Sequence, residues 1–354
     1  MQAVLDLSSA LVGASVDAAQ SLLLGGPVMP PPTLAPTARD TVFADGTARV
    51  YRFRRAEGAP AAPRRPVLLV PSMINKWYVL DLRKGASFVE ALVAAGHEVF
   101  VLDWGTARDE DRDLTWAEVI ARLARVVRFV RRSMGVDRVG ILGYCMGATL
   151  SSIYTALHPT EVAALVNLAG PIDFSYAGLL RDMVDARWFD PAAVAAAGNV
   201  SPSQMQSGFT AMRPTLTVAK WFTSPDRLVD KRARDSFYAI DTWSGDNIPF
   251  PGAAYETYIT ELYQQNALVH GRHYVGGRRV ALDAITCPVL TIGSERDTIC
   301  PLAAATALHQ HVGTRDVTVL TVPGGHVGAV VGSRASAALY PSTAAWLRDR
   351  LDRV

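Results

Sequence analysis

The stretch "VGILGYCMGATLSSIYTALHP" (139–159) decides how this chain folds. Val139, Ile141 and Leu142 form the apolar run of a short buried strand, Gly143-Tyr144-Cys145-Met146-Gly147 makes a sharp turn, and Ala148 to His158 reads as a helix stopped by Pro159. A glycine two places on either side of Cys145 lets the chain reverse so tightly that the central side chain stands above the sheet. The following helix aims its N-terminus at the same point. This is the form of a nucleophile elbow with a thiol at its tip. Such a position lowers a thiol's pKa and places the Met146 amide where it can stabilise an oxyanion. On the pentapeptide alone, the plainer reading is a small residue filling a strand–helix joint.

Working outward, "RPVLLVPS" (65–72) and "HEVFVLDWG" (97–105) are compact apolar runs typical of strands buried on both faces, and "VAALVNLAG" (162–170) adds one more. Helical patterns lie between them, in "RKGASFVEALVAAG" ending at Gly96 and from about Leu114 to Ser133. "TARVYRFRR" (47–55) alternates as an antiparallel edge strand does. The rhythm breaks from Pro171 to about Ala284, where helical pieces and six tryptophans or tyrosines between Trp221 and Tyr263 replace strands. It resumes with "CPVLTIGSERD" (287–297), "DVTVLTVPGGH" (316–326) and a helix from about Thr343. The expected fold is α/β: a mostly parallel, doubly wound sheet of the α/β-hydrolase kind, with a largely helical cap inserted between sheet strands. The expected organisation is an N-terminal amphipathic helix over 1–26, core over 27–171, cap over 172–285 and core again over 286–354, with "GGPVMPPPTLAPTARD" (25–40) as an extended linker. Packing on the body is the ordinary use of such a helix, with another subunit or a hydrophobic particle as alternatives.

Two later signals reverse the plain reading of the pentapeptide. Asp297 closes one strand and His326 follows the next, so the chain order is nucleophile, acid, histidine, each at a strand end. Each has an ordinary alternative: Asp297 as N-cap of a helix over Ile299 to His309, with Thr298 as competitor, and His326 as a loop histidine. The loop after strand 66–71 reads "PSMINKWYVLDL", and its Met73 or Ile74 amide is the expected second oxyanion donor. His309 and His311 decorate a helix end, His97 and His158 sit beside secondary structure, Cys287 belongs to the core, and no turn exposes Cys300. His270 and His273 fall in the cap, where they would border the substrate entrance.

The chain has 354 residues, a formal net charge of +2 and 3 cysteines with no metal-ligand spacing, which excludes a disulfide framework and a cysteine zinc site and gives no sign of nucleic-acid binding. A reducing cytoplasm is the expected compartment.

With "INKWYVLDL" (74–82), "VFVLDWG" (99–105), "GYCMG" (143–147), "AGPIDF" (169–174), "WSGDNIPFPG" (243–252), "SERDTICP" (294–301) and "GGHVG" (324–328), the chain resembles the polyhydroxyalkanoate synthases. Its length is similar to the short catalytic subunit of the two-component type. The resemblance implies that Cys145 is acylated, that His326 activates it, and that Asp297 orients His326 or helps activate the substrate hydroxyl. It further implies 3-hydroxyacyl-CoA and a growing polyester as substrates, no cofactor beyond the coenzyme A thioester itself, a homodimer, an accessory subunit and the surface of polymer granules. Trp243, Asp246 and Arg278 are candidates for contact with substrate, Arg278 together with Arg272 and Arg279 for coenzyme A phosphates. There are departures: Ala148 and Ser244 stand where the family usually has glycine and asparagine. A cysteine hydrolase of the same fold, thioesterase or depolymerase, is the alternative.

Overall fold

In this computed structural model, residues 31–55, 58, 65–212, 231–332 and 335–352 are described; the expected helix over 1–26 lies outside them. Eight strands, β1 (Arg39–Asp45), β2 (Ala48–Phe53), β3 (Val67–Val70), β4 (Val99–Asp103), β5 (Val139–Tyr144), β6 (Val162–Leu168), β7 (Val289–Ser294) and β8 (Val317–Val322), form one sheet. Their order is β1-β2-β4-β3-β5-β6-β7-β8. From β4 through β8 every neighbouring pair is parallel, while β2 runs antiparallel to both β1 and β4.

Two apolar layers cover the sheet because alternate strand residues face opposite ways: Ile141 joins the layer with helices α2 (Trp116–Met134) and α3 (Met146–Leu157), and Leu142 the layer with α1 (Phe88–Ala94) and the C-terminal helix Ala335–Leu351. α3 is buried on every side, so its hydroxyls must be satisfied inside: Ser151 donates to the Gly147 carbonyl at 2.7 Å, Ser152 to Ala148 at 2.9 Å and Thr155 to Ser151 at 2.7 Å. The Ala148 methyl occupies the space left by Gly170, whose own Cβ would come within 2.3 Å of it.

Three expectations change. The strand read at 47–55 is the second in the sheet, since β1 pairs outside it, overlapping the end of the supposed linker at Arg39 and Asp40; a bulge between Thr41 and Phe43 interrupts β1's alternation. The last helix begins at Ala335 and carries Pro341 in its interior, held by the buried Leu339 and Tyr340 on the preceding turn. The helix read over Ile299 to His309 is two short ones, Leu302–Thr306 and Leu308–His311.

Between β6 and β7 the described chain is built of short helices, among them Gly178–Met183, Pro191–Ala196, Lys231–Gly245 and Gly252–Thr257, the last running into a π-helical turn, Tyr258–Gln264. This cap is stapled to the loop after β3. The Ile248 amide donates to the Ile74 carbonyl at 2.9 Å, Trp243 Nε1 to the Lys76 carbonyl at 2.8 Å, and the Tyr78 hydroxyl to Asp246 at 2.9 Å, with Asn75 bonded to Asn247. A second tie joins it to α2: Trp116 Nε1 donates to His273 Nε2 at 3.1 Å, and His273 Nδ1 to Glu261 at 2.6 Å. No helix among the described residues is long and apolar enough to cross a membrane.

Candidate active site

Cys145 follows β5 directly and has φ 55° and ψ −130°, a left-handed backbone that a cysteine adopts only when its surroundings enforce it. The enforcement is visible. The Cys145 amide donates to the Leu168 carbonyl of β6 at 2.9 Å, and its own carbonyl accepts from the Ala148 amide at 2.9 Å. A Cβ on Gly143 would lie 2.3 Å from the Ala148 Cα, and one on Gly147 only 2.1 Å from the Val70 carbonyl oxygen, so neither glycine has room for a side chain. The Met146 amide opens α3 and, as the first N–H of a helix, has no intrahelical acceptor.

Asp297 and His326 leave the ends of β7 and β8 on the same edge of the sheet. His326 Nδ1 donates to Asp297 Oδ2 at 2.7 Å, while Oδ1 of the same carboxylate accepts from the Ile299 and Cys300 amides, each at 2.9 Å. Asp297 is not a helix N-cap, because the helix that follows begins at Leu302 with Pro301 as its cap; one carboxylate oxygen holds the turn before that helix and the other contacts the imidazole. Tyr144 stacks on the His326 ring with centroids 5.5 Å apart. Burial disfavours the imidazolium, but the Cys145 sulfur and the Asp297 carboxylate outweigh it and raise the His326 pKa to about 10. The three residues thus lie in the order Cys145, His326, Asp297, with the ring between sulfur and carboxylate.

Cys145 opens on a cavity of about 460 Å³, within the range of small-molecule sites. Its wall is mostly apolar, with Leu180, Met183, Phe189 and Ile299 among its members, and it also includes Ile74, Cys300 and the tyrosines 255, 258 and 263. The sequence showed the aromatic density of the cap but not which rings turn inward. Cys300 is fully buried with its thiol pKa pushed well up by burial, and Cys287 is likewise pushed to about 12.

Of the two amides expected beside Met146, that of Ile74 is engaged by the Ser72 hydroxyl at 3.1 Å, which leaves Met73 as the candidate second donor. Trp243, Asp246 and Arg278 do not line the cavity: the first two are the cap staples described above, and Arg278 donates to the Leu157 carbonyl at the end of α3 at 2.8 Å. His273 is wholly buried in its tie to Trp116 and Glu261 and does not border the cavity. His97 donates inward to the Ala344 carbonyl at 2.9 Å, His158 stacks on Tyr154, and His309 bonds Thr291.

The α/β-hydrolase-fold family model matches residues 65–332, and a model for the poly-beta-hydroxybutyrate polymerase (PhaC) N-terminus matches residues 33–92. The poly(3-hydroxyalkanoate) polymerase subunit PhaC of Allochromatium vinosum is 34% identical over 318 residues, 88% of each chain, and that of Thiocystis violacea 30% identical over 315 residues, again 88% of each. Among solved structures, a putative lipase from Sulfolobus solfataricus superposes with a TM-score of 0.54 at 13% identity, covering 88% of this chain and 93% of its own. A hydrolase from Pseudomonas aeruginosa gives 0.53 at 16%, covering 87% and 98%. These two likenesses speak for the fold.

Proposed function

The chain belongs to the poly(3-hydroxyalkanoate) polymerase subunit family, and on that premise we propose that it polymerises short-chain 3-hydroxyacyl-CoA through an acyl group carried on Cys145. The observation that carries this reading is the thiol held at a strained elbow over an apolar cavity, with the His326–Asp297 pair behind it. Cys145 Sγ attacks the thioester carbonyl, the new carbon–sulfur bond forms, and the bond to coenzyme A breaks, its sulfur leaving with the proton held by His326. The Met146 and Met73 amides receive the transient oxyanion.

Thiolate attack on a thioester exchanges one sulfur leaving group for another of similar basicity, so the acyl-enzyme keeps its transfer potential. A serine would form an oxygen ester close in energy to the polymer linkage, and extension would lose its driving force. In the second step the 3-hydroxyl of another unit gives its proton to His326 and attacks the acyl carbon, forming the polyester bond as the bond to Cys145 breaks. An apolar cavity that excludes water protects this intermediate from hydrolysis. The short acyl chain is favoured by the polyhydroxybutyrate polymerase name of the family model that matches residues 33–92. The relatives' designation as a subunit supports a partner polypeptide, and the apolar product supports work at the surface of the polymer granule. The coenzyme A thioester is substrate, and the scheme uses no cofactor.

The test is coenzyme A release from 3-hydroxybutyryl-CoA by the purified protein and by the same protein co-expressed with its partner, with the product sized. Release accompanied by high-mass polyester, abolished together with covalent acylation in Cys145→Ala, is the expected result. Free 3-hydroxybutyrate as the sole product makes the protein a thioesterase, and acylation surviving in Cys145→Ala removes Cys145 from its role.

A further inference from the structure

The cavity beside Cys145 is apolar apart from a few polar points, and three of these are tyrosines of one continuous helical stretch, Tyr255, Tyr258 and Tyr263. That stretch passes from α to π pitch at Tyr258, as the Gln265 amide bonding the Thr260 carbonyl at 3.0 Å shows. At α pitch, residues five apart diverge around the helix; the wider turn brings Tyr258 and Tyr263 to one face, where their rings meet edge-on with centroids 5.3 Å apart.

Several other tyrosines give their hydroxyl protons to fixed protein acceptors, the half-buried Tyr78 to Asp246, Tyr154 to Glu161 and Tyr340 to the Val330 carbonyl, while the buried Tyr144 hydroxyl has no partner among the described residues. The Tyr258 and Tyr263 hydroxyls instead interact with each other, and among the described residues no carboxylate or carbonyl accepts from either. A pair of hydroxyls bonded to each other uses only one of its two protons, so the other is left for the cavity that both line, beside Cys145. Burial keeps both phenols protonated, so both remain donors. A buried hydroxyl without a partner is costly, and in an apolar pocket a few such groups orient the ligand that completes them.

We infer that Tyr263, backed by Tyr258, donates a hydrogen bond to the 3-oxygen of the acyl group bound at Cys145 and so selects 3-hydroxyacyl over deoxyacyl thioesters. This rests on the reading of Cys145 as the acyl acceptor. The bond occupies a lone pair of the 3-oxygen and makes no demand on a proton there, so it leaves the attack by the 3-hydroxyl of another unit unobstructed.

The experiment is single-turnover coenzyme A release from 3-hydroxybutyryl-CoA and from butyryl-CoA by the wild-type protein with its co-expressed partner, and by Tyr263→Phe and Tyr258→Phe in the same complex. The wild type should prefer the hydroxy substrate by roughly tenfold or more, Tyr263→Phe should bring the two to within about threefold by slowing the hydroxy substrate alone, and Tyr258→Phe should fall between. A Tyr263→Phe protein that keeps the wild-type ratio, or slows on both substrates equally, overturns the inference. A wild type that releases coenzyme A from neither removes the acyl-cysteine reading, and the tyrosine's role with it.

Discussion

Replacing Asp297 by asparagine separates the two duties of that side chain. The amide keeps an oxygen for the Ile299 and Cys300 N–H groups, now at 2.9 Å each, so the turn after β7 survives. What changes is the other contact. Asp297 Oδ2 accepts from His326 Nδ1 at 2.7 Å; an asparagine that keeps its oxygen on the two amides presents NH₂ there, and the ring answers by holding its proton on Nε2, the nitrogen facing Cys145. The histidine then cannot take a proton from the thiol or from an attacking hydroxyl. A wrong tautomer of this kind lowers acyl transfer by about a thousand- to ten-thousand-fold, ~4–5.5 kcal/mol of barrier. The cost to folding should be small, about 1 kcal/mol for a weakened acceptor, whereas Asp297→Ala strands two amides and should cost about 3 kcal/mol or more. Coenzyme A release and urea denaturation, run on both variants, read the two effects independently. An Asp297→Asn protein within tenfold of wild-type turnover, or one destabilised as much as Asp297→Ala, refutes this account of the carboxylate.

Two further outcomes follow from the packing and the titrating groups. Gly147→Ala forces a methyl to 2.1 Å from the Val70 carbonyl and should destabilise the fold by about 3 kcal/mol or lower its yield of folded protein, read as a drop in Tm. His97 is wholly buried, its pKa lowered mainly by desolvation, and among the described residues its Nδ1 has no partner that would accept from it once protonated. Below about pH 6.5 the unfolded chain therefore binds a proton that the folded chain refuses, and stability falls as pH falls, with a limiting slope of about 1.4 kcal/mol per pH unit. His97→Gln should flatten that part of the stability–pH curve; an unchanged slope assigns the acid sensitivity elsewhere.

The parts legible in the sequence were those governed by local pattern. Double-sided burial wrote β3 to β7 as apolar runs, β-branched alternation wrote the half-exposed edge strand β8, and the close approaches at Gly143 and Gly147 wrote the elbow. Interactions across long separations were not legible. Trp243 and Asp246 read as substrate contacts because their motif was familiar, yet they bond residues 167 and 168 positions away along the chain to seat the cap. The loss of the Ile74 amide to Ser72 turns on a side-chain rotamer that spacing does not encode. Likewise the inward tyrosines depend on a change of helical pitch at Tyr258 that leaves no mark in hydrophobic periodicity.

Asp297 is held by the backbone of residues 299 and 300, while the side chains of those same residues form part of the cavity wall. Amides are supplied by nearly any amino acid, so the bonds that hold the Asp297 carboxylate do not depend on which side chain stands at the half-buried position 299, whereas Cys300 is fully buried and leaves no room for a larger one. Position 299 can thus reshape the cavity wall while the backbone that anchors Asp297 stays where it is, so the contour of the pocket and the seat of the carboxylate are separately adjustable.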